Sequence, residues 1–449
     1  MAGSLKPGNV STRQARIAEN ARRHSKLKSI AHHMDALWMR EAFKRTRKGG
    51  AAGIDGVRAS DYAERLDENL DKLLARAKTG DYRAPAVRRV LIPKGKGKTR
   101  PLGIPTFEDK VLQRAVLMLL EPVFEQNFFN FSYGFRPKRG AHDALDALRQ
   151  GIQELVYANR AMSCWVLDAD LKAFFDTIPH KKLQEVLGLR VEDGVVRRLV
   201  GKWLNAGILE EGKKVRSDTG TPQGGVLSPL LANMYLHRAL DGWWVRTMQP
   251  RLQGRSLMVR YADDFVMVFS RRDDAERVQK ELYERLAEYG LTLNSEKTKL
   301  IAFHRPRRNR KEPGTFTMLG ITHYWGKSRK GRWAVRTRTS KESMARGILR
   351  VAQRLKRIRH KSLRDQAVYL RRALLGHYNY FGKYVGERNL RRYMWIVRGI
   401  WRKWLSRRSQ KGGISWKRMR KILRRHKLPL PPKWKPTPKA PKQHLLANL

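Results

Sequence analysis

Along most of the chain apolar residues recur every three or four positions. That pattern is interrupted by short runs in which they are continuous. Ile30, Met34 and Leu37/Trp38 carry the helical spacing across residues 26–44 and predict a helix there. The glycine-dense stretch 48–56 predicts a loop. Leu66, Leu70 and Leu73/Leu74 mark one face of a second helix. Residues 87–93 and 99–104 read as two strands, joined across Lys94-Gly95-Lys96-Gly97-Lys98 into a hairpin with three lysines at its tip. A long helix starts near Glu108, with Val111, Ala115 and Leu119 turned inward. In the centre, residues 165–171 form a strand, and 256–260 and 265–269 form a second hairpin with Asp263 and Asp264 at its turn. Residues 276–289 are helical, and Ile348, Val351, Leu355 and Ile358 restore helical spacing beyond residue 340. Residues 429–441 hold too much proline for a helix. The fold class expected is α+β.

Charge changes this picture. The 449 residues carry 96 Lys+Arg against 40 Asp+Glu, a net charge of +56. Self-repulsion on that scale opposes compaction unless a polyanion supplies counter-charge, so nucleic acid is the expected partner. From residue 341 onward 32 Lys+Arg meet only Glu342, Asp365 and Glu387, a net +29. The aromatics there include Tyr380, Trp395, Trp401 and Trp404, with Tyr380, Trp401 and Trp404 as candidate base-stacking residues. The polar, basic residues 1–26 are expected to be mobile until bound. One cysteine, Cys164, excludes an intrachain disulfide and a four-cysteine zinc module. With no secretory leader pattern and no run of about 18 apolar residues, a cytoplasmic protein without a membrane partner is expected.

Three acids stand out by context. Asp170 closes an apolar strand, and Asp263 and Asp264 occupy a turn between two strands. Carboxylates brought together repel unless divalent cations bridge them. All-oxygen ligation suits Mg2+, and two such ions serve an in-line phosphoryl displacement. Asp168 shares the strand face of Asp170. Phe174 and Phe175 follow the first acid, where a bulky ring can exclude a ribose 2′-hydroxyl. Gly220-Thr221-Pro222-Gln223-Gly224 is a stiff turn whose Gln223 amide is a candidate contact to the incoming nucleotide. Lys94 and Arg100 beside the basic hairpin are candidate triphosphate ligands.

These motifs, taken in order, resemble the bacterial group II intron-encoded reverse transcriptase/maturase family. Tyr261-Ala262-Asp263-Asp264 matches its catalytic Y-x-D-D, and Asp170 with Phe175 matches its first catalytic motif. Residues 220–224 match its nucleotide-pocket motif. Ser132-Tyr133-Gly134-Phe135-Arg136-Pro137 and residues 100–105 match its fingers and palm blocks. Residues 48–56 resemble its N-terminal extension, and Met318-Leu319-Gly320 its primer-grip turn. Residues 293–299 resemble the block that places a lysine near the leaving pyrophosphate; Lys297 is the better match and Lys299 the competitor. Residues 371–381 and 412–416 resemble maturase blocks.

The resemblance implies a right-hand polymerase fold. Its expected divisions are a flexible start (1–26), an N-terminal extension with fingers and palm (27–335), a helical thumb leading into the maturase region (336–408), and an RNA-binding segment with a proline-rich basic tail (409–449). It implies RNA-templated DNA synthesis with two Mg2+ on Asp170, Asp263 and Asp264. The expected partners are an RNA template, a DNA primer or target, deoxynucleoside triphosphates and the group II intron RNA itself. Tyr261 is expected near the primer end. Intron splicing and mobility by target-primed reverse transcription would follow. No cysteine lies beyond Cys164, so the form expected lacks the family's C-terminal paired-cysteine endonuclease. The alternatives are a related reverse transcriptase in host defence or CRISPR adaptation, an RNA-dependent RNA polymerase, and a non-enzymatic splicing factor.

Overall fold

The computed structural model describes residues 9–95, 98–158, 164–210, 213–215, 219–220, 224–306, 313–328, 330–409 and 412–432. Helices and strands are mixed, with helix in the majority. The chain divides into two compact units. The first comprises residues 1–147, 169–267 and 272–299; the second comprises 148–168, 268–271 and 300–449.

The first unit is organised on the helix Phe107–Glu125, whose Val111, Leu112, Ala115, Val116, Leu119 and Leu120 are fully buried. Thr106 caps it, accepting from the Asp109 amide. Helices Val10–Arg23 and Ala36–Arg45 pack against it, and the Trp38 indole donates to the Ala115 carbonyl at 3.0 Å. Two expectations are corrected here. Much of the supposedly mobile start is the helix Val10–Arg23, because Val10, Ile17 and Ala21 form a buried stripe and Arg13 reaches Asp35 at 2.7 Å. The helix expected over 26–44 covers only Ala36–Arg45. Asp193 accepts from the Ile30 and Ala31 amides, and Asp35 caps the helix at Trp38, so the chain before it is held in a different conformation.

The loop over 48–56 and the helix Leu66–Thr79 appear as expected, with Leu70 and Leu73 buried. Gly53 is required by contact: a Cβ there would lie 2.5 Å from Thr106 Cα. The basic hairpin pairs Val87–Gly95 with Lys98–Ile104, antiparallel, in a four-stranded sheet completed by Ile208–Glu210 and Lys213–Val215. Beneath these elements Asp109 is wholly buried. It accepts from the Tyr82 hydroxyl, the Trp203 indole at 2.6 Å and the Gln113 amide at 3.1 Å. Burial pushes its carboxyl up to about 6, against the pull of those three donors. A second four-stranded sheet has the order Ser256–Tyr261, Asp264–Phe269, Trp165–Asp170, Lys299–Ala302.

In the second unit Phe316–Met318, Ile321–Lys327 and Trp333–Thr339 form an antiparallel sheet. The turn at Leu319 (φ 50°) and Gly320 (φ 78°) has two positive φ angles, which is the geometry of a tight two-residue hairpin loop. Helices Lys341–Arg357, Leu363–Phe381, Glu387–Ser406 and Trp416–Arg425 follow. Val351 and Leu355 anchor the first of them in the core as the spacing predicts. Trp401 is fully buried and donates to Gln366 Oε1 at 2.9 Å, while the Gln366 amide donates to the Ile358, Arg359 and Lys361 carbonyls. Trp401 is therefore a core residue and not a platform for bases. Tyr380 donates its hydroxyl to the Leu319 carbonyl at 2.9 Å. Residues 429–432 contain no helix, and the rest of the proline-rich tail lies outside the described residues. Among the described residues no helix is long and apolar enough to cross a membrane.

Candidate active site

The site is best built from its backbone. Tyr261 ends one strand and Asp264 begins the next, leaving Ala262 and Asp263 to make the turn. Ala262 has φ +59°, the left-handed region, which costs a non-glycine residue about 1–3 kcal/mol and persists only when its surroundings enforce it. The enforcing group is Arg260, whose side chain is wholly buried. Its Nε and Nη2 donate to the two oxygens of Asp241 at 2.8 and 2.5 Å. Its Nη1 donates to Asn233 Oδ1 and to the Ala262 carbonyl, both at 3.0 Å. Burial pushes the Asp241 carboxyl up, but the Arg260 guanidinium and the His237 ring together outweigh it and hold the group below the usual carboxylate range. Asp241 sits in the π-helical turn His237–Asp241 that continues the helix Ser228–Leu236, a wound segment able to aim one side chain off the helical phase.

A second motif closes on the same turn. The Tyr133 amide donates to the Arg260 carbonyl and the Arg260 amide to the Phe131 carbonyl, each at 2.9 Å. Gly134 then passes so near that a Cβ on it would lie 2.3 Å from the Ala262 nitrogen. Asn233 donates to the Gly134 carbonyl at 2.7 Å. The block Ser132–Pro137 is thus locked to the Asp263–Asp264 turn through backbone, while Arg136 is anchored by Glu125 at 2.7 Å.

Asp170 is the last residue of the strand hydrogen-bonded beside the one that Asp264 begins. Its backbone carbonyl accepts from the Asn294 amide at 2.8 Å, and Leu171 bridges Leu293. Its carboxylate, 42% exposed, accepts from Lys297 Nζ at 2.6 Å and from Asn294 Nδ2 at 3.4 Å. Of the two competing lysines, Lys297 is the one at Asp170; Lys299 starts the strand Lys299–Ala302 and is exposed. Phe175 lies in the short helix Phe174–Thr177, entered through Ala173 at φ 49°. Phe174 is buried and Phe175 half-buried, edge-on to it at 5.3 Å.

Among the described residues no three His, Cys, Asp or Glu side chains stand in metal-ligating geometry. The donors at the turn and at Asp170 are nevertheless all hard carboxylate oxygens, which fits a divalent cation of the Mg2+ type. Lys297 supplies the positive charge that Asp170 faces. Lys94 and Arg100 stand in the two hairpin strands, with Arg100 opposite Ile92; their side chains lie outside the described residues. Gln223 also lies outside them. The flanking Gly220 and Gly224 both have positive φ, and a Cβ on Gly224 would lie 2.5 Å from the Gly103 carbonyl oxygen. Arg260, Asp241 and Asn233 are supports that sequence reasoning did not single out, while Gly134 was marked only as part of the block 132–137. The one signal available was an arginine inside an otherwise apolar strand.

Residues 92–323 match the family model described as reverse transcriptase (RNA-dependent DNA polymerase). The chain belongs to the reverse transcriptase family. All nine site residues expected from the sequence fall inside that span, from Lys94 to Lys297. The chain is 35% identical over 296 residues to protein YkfC of Escherichia coli, covering 59% of this chain and 76% of that protein. It is 41% identical over 194 residues to the group II intron-encoded protein LtrA of Lactococcus lactis, covering 43% of this chain and 31% of LtrA. It is also 31% identical over 138 residues to nuclear intron maturase 4 of Arabidopsis thaliana, covering 30% of this chain and 16% of that protein. Within the reverse transcriptases the chain is of the group II intron reverse transcriptase/maturase kind. Reverse transcriptases generally use divalent metal ions.

Proposed function

We propose that the chain copies RNA into DNA from a DNA primer and also binds its group II intron RNA, assisting splicing and intron mobility by target-primed reverse transcription. The observation that carries this is the strained, doubly clamped Ala262 turn, which presents Asp263 and Asp264 beside the strand that ends in Asp170. The proposed architecture is a right hand: fingers and palm within residues 27–335, a helical thumb over 336–408 and an RNA-binding segment from 409.

Two Mg2+ ions are the proposed cofactor, held by Asp170, Asp263 and Asp264. Such ions, when bound, favour the deprotonated primer 3′-hydroxyl and the developing charge on pyrophosphate. Lys94 and Arg100 neutralise the incoming deoxynucleoside triphosphate. Gln223 orients it, and Phe175 closes the space a 2′-hydroxyl would need. Tyr261 positions the primer end. Lys297, held at Asp170, gives a proton to the departing pyrophosphate. The basic helical region grips intron RNA phosphates, so intron affinity falls steeply with salt.

The test is primer extension on a long structured RNA template with Mg2+ and deoxynucleotides, wild type beside Asp263→Ala. Extension by the wild type alone supports the assignment. Normal extension by Asp263→Ala removes the site, and equal binding of cognate intron and unrelated structured RNA at physiological salt removes the maturase role.

A further inference from the structure

Helix Glu387–Ser406 buries Leu390, Tyr393, Met394, Val397, Trp401 and Leu405 on one face. Its opposite face is built differently. Trp395 is 66% exposed, the largest exposure of any tryptophan among the described residues with large exposed apolar side chains. Arg388 and Arg392, seven and three residues earlier, are exposed on the same side. One turn later stands Gly399, where an added Cβ would meet nothing within 4 Å. Among the described residues no packing demands a glycine there, although glycine costs a helix interior about 1 kcal/mol against alanine. Beyond Gly399 opens a cavity of about 590 Å³, lined by Gly399, Arg402, Lys403, Ser406, Arg407 and Gly413 among others. Arg402 is fixed there by its bond to the Ile414 carbonyl at 3.2 Å and by stacking on Trp416 at 4.6 Å. Among the described residues no carboxylate pairs with Arg402, Lys403 or Arg407. The acid that opens the helix, Glu387, is taken by Arg391.

An exposed indole, a bare notch one turn away and an unneutralised cationic cavity beyond it follow one helix face in that order. A flat apolar ring meets a π-face, the notch admits a ring that lies against backbone, and the cations receive the phosphate of an adjoining nucleotide. A duplex conceals its base faces, so only unpaired nucleotides can use all three. We propose that this face is a binding track for single-stranded RNA, with one unpaired base stacked on Trp395 over Gly399 and a neighbouring phosphate held by Arg402, Lys403 and Arg407. The proposal rests on the RNA-binding reading above and names the element of RNA that this surface takes.

The experiment measures anisotropy of a labelled purine-rich single-stranded RNA, a duplex RNA and a single-stranded DNA of equal length with the full chain. Trp395→Ala is expected to weaken single-strand RNA binding by roughly five- to 150-fold, the scale of one lost base stack. Trp395→Phe retains most of the affinity. Gly399→Leu is the sharper variant: it removes no charge and improves helix propensity, so melting temperature rises while single-strand affinity falls. Affinity for duplex RNA stays unchanged in all three variants. Unaltered single-strand binding in Gly399→Leu and Trp395→Ala overturns the proposal, as does an equal loss on duplex. An equal loss on DNA overturns the assignment to RNA. Primer extension is recorded in parallel: normal extension with no effect on the track removes this proposal alone, whereas a wild type that fails to extend removes the polymerase reading alone.

Discussion

Arg260 and the cations of helix Glu387–Ser406 belong to the same residue class and do opposite work. Arg260 has no exposed surface, makes four hydrogen bonds and is matched by one buried carboxylate. Arg402, Lys403 and Arg407 line an open cavity with no acid among the described residues to meet them. A buried charge has one satisfactory geometry and so fixes the backbone around it. An exposed charge keeps its hydration and its freedom, and supplies affinity that salt can screen. In this chain the first kind shapes a turn and the second kind offers a surface.

The strongest way to break that contrast is Arg260→Met, which strands Asp241 in the core and should cost about 3–5 kcal/mol of stability by denaturant titration. Arg260→Met combined with Asp241→Leu should regain most of that stability. DNA synthesis should stay slow, because the bond to the Ala262 carbonyl is not regained. A double variant with wild-type kcat would show that Arg260 does not position the turn. Next in size, Asp263→Ala should lower kcat by about a hundred- to a thousandfold, the scale for losing one preorganised charged group, while intron RNA binding persists in a filter assay.

A smaller effect concerns Asp109. Its folded-state value of about 6 lies above the ordinary value of 3.8, so the folded state holds the proton more tightly than the unfolded chain. The stability this gives is complete below the ordinary value and is lost as pH rises through about 6. Wild type should lose on the order of 1–3 kcal/mol between pH 4 and pH 7 from this group, and Asp109→Asn should flatten that part of the pH profile. Smallest of all, Lys297→Gln should change stability by less than about 1 kcal/mol, since the pair with Asp170 is 59% and 42% exposed. It should slow nucleotide incorporation, whereas Lys299→Gln should not; equal effects in single-turnover kinetics would remove the distinction drawn between them.

What the sequence made legible was local. The hairpin around Asp263 and Asp264 could be read because apolar strands flank the acids within a dozen residues. The basic hairpin and the helix Phe107–Glu125 were legible for the same reason. What stayed hidden depended on distant partners. Asp193 captures the Ile30 and Ala31 amides from more than 160 residues away and ends a helix that local spacing would continue. Nothing in the spacing of 96 basic and 40 acidic residues marks Asp241 as the partner of Arg260. Other misses were readable in principle. Val10, Ile17 and Ala21 keep a helical stripe under a basic exterior, and the phase of Leu390, Val397 and Trp401 already separates Trp395 from the core set.

The passage of Gly134 beneath Ala262 has a consequence for recombination between homologues. Two stretches 128 residues apart share a backbone interface with no room for even a methyl group. Chimaeras that inherit residues 131–136 and 259–264 from one parent keep that interface intact. A crossover anywhere between them joins halves shaped in different proteins, and each such chimaera should be screened for the register of this contact before its loops are compared. The heritable unit of this site is therefore a discontinuous pair of segments, and a library that shuffles whole motifs one at a time would separate its two halves.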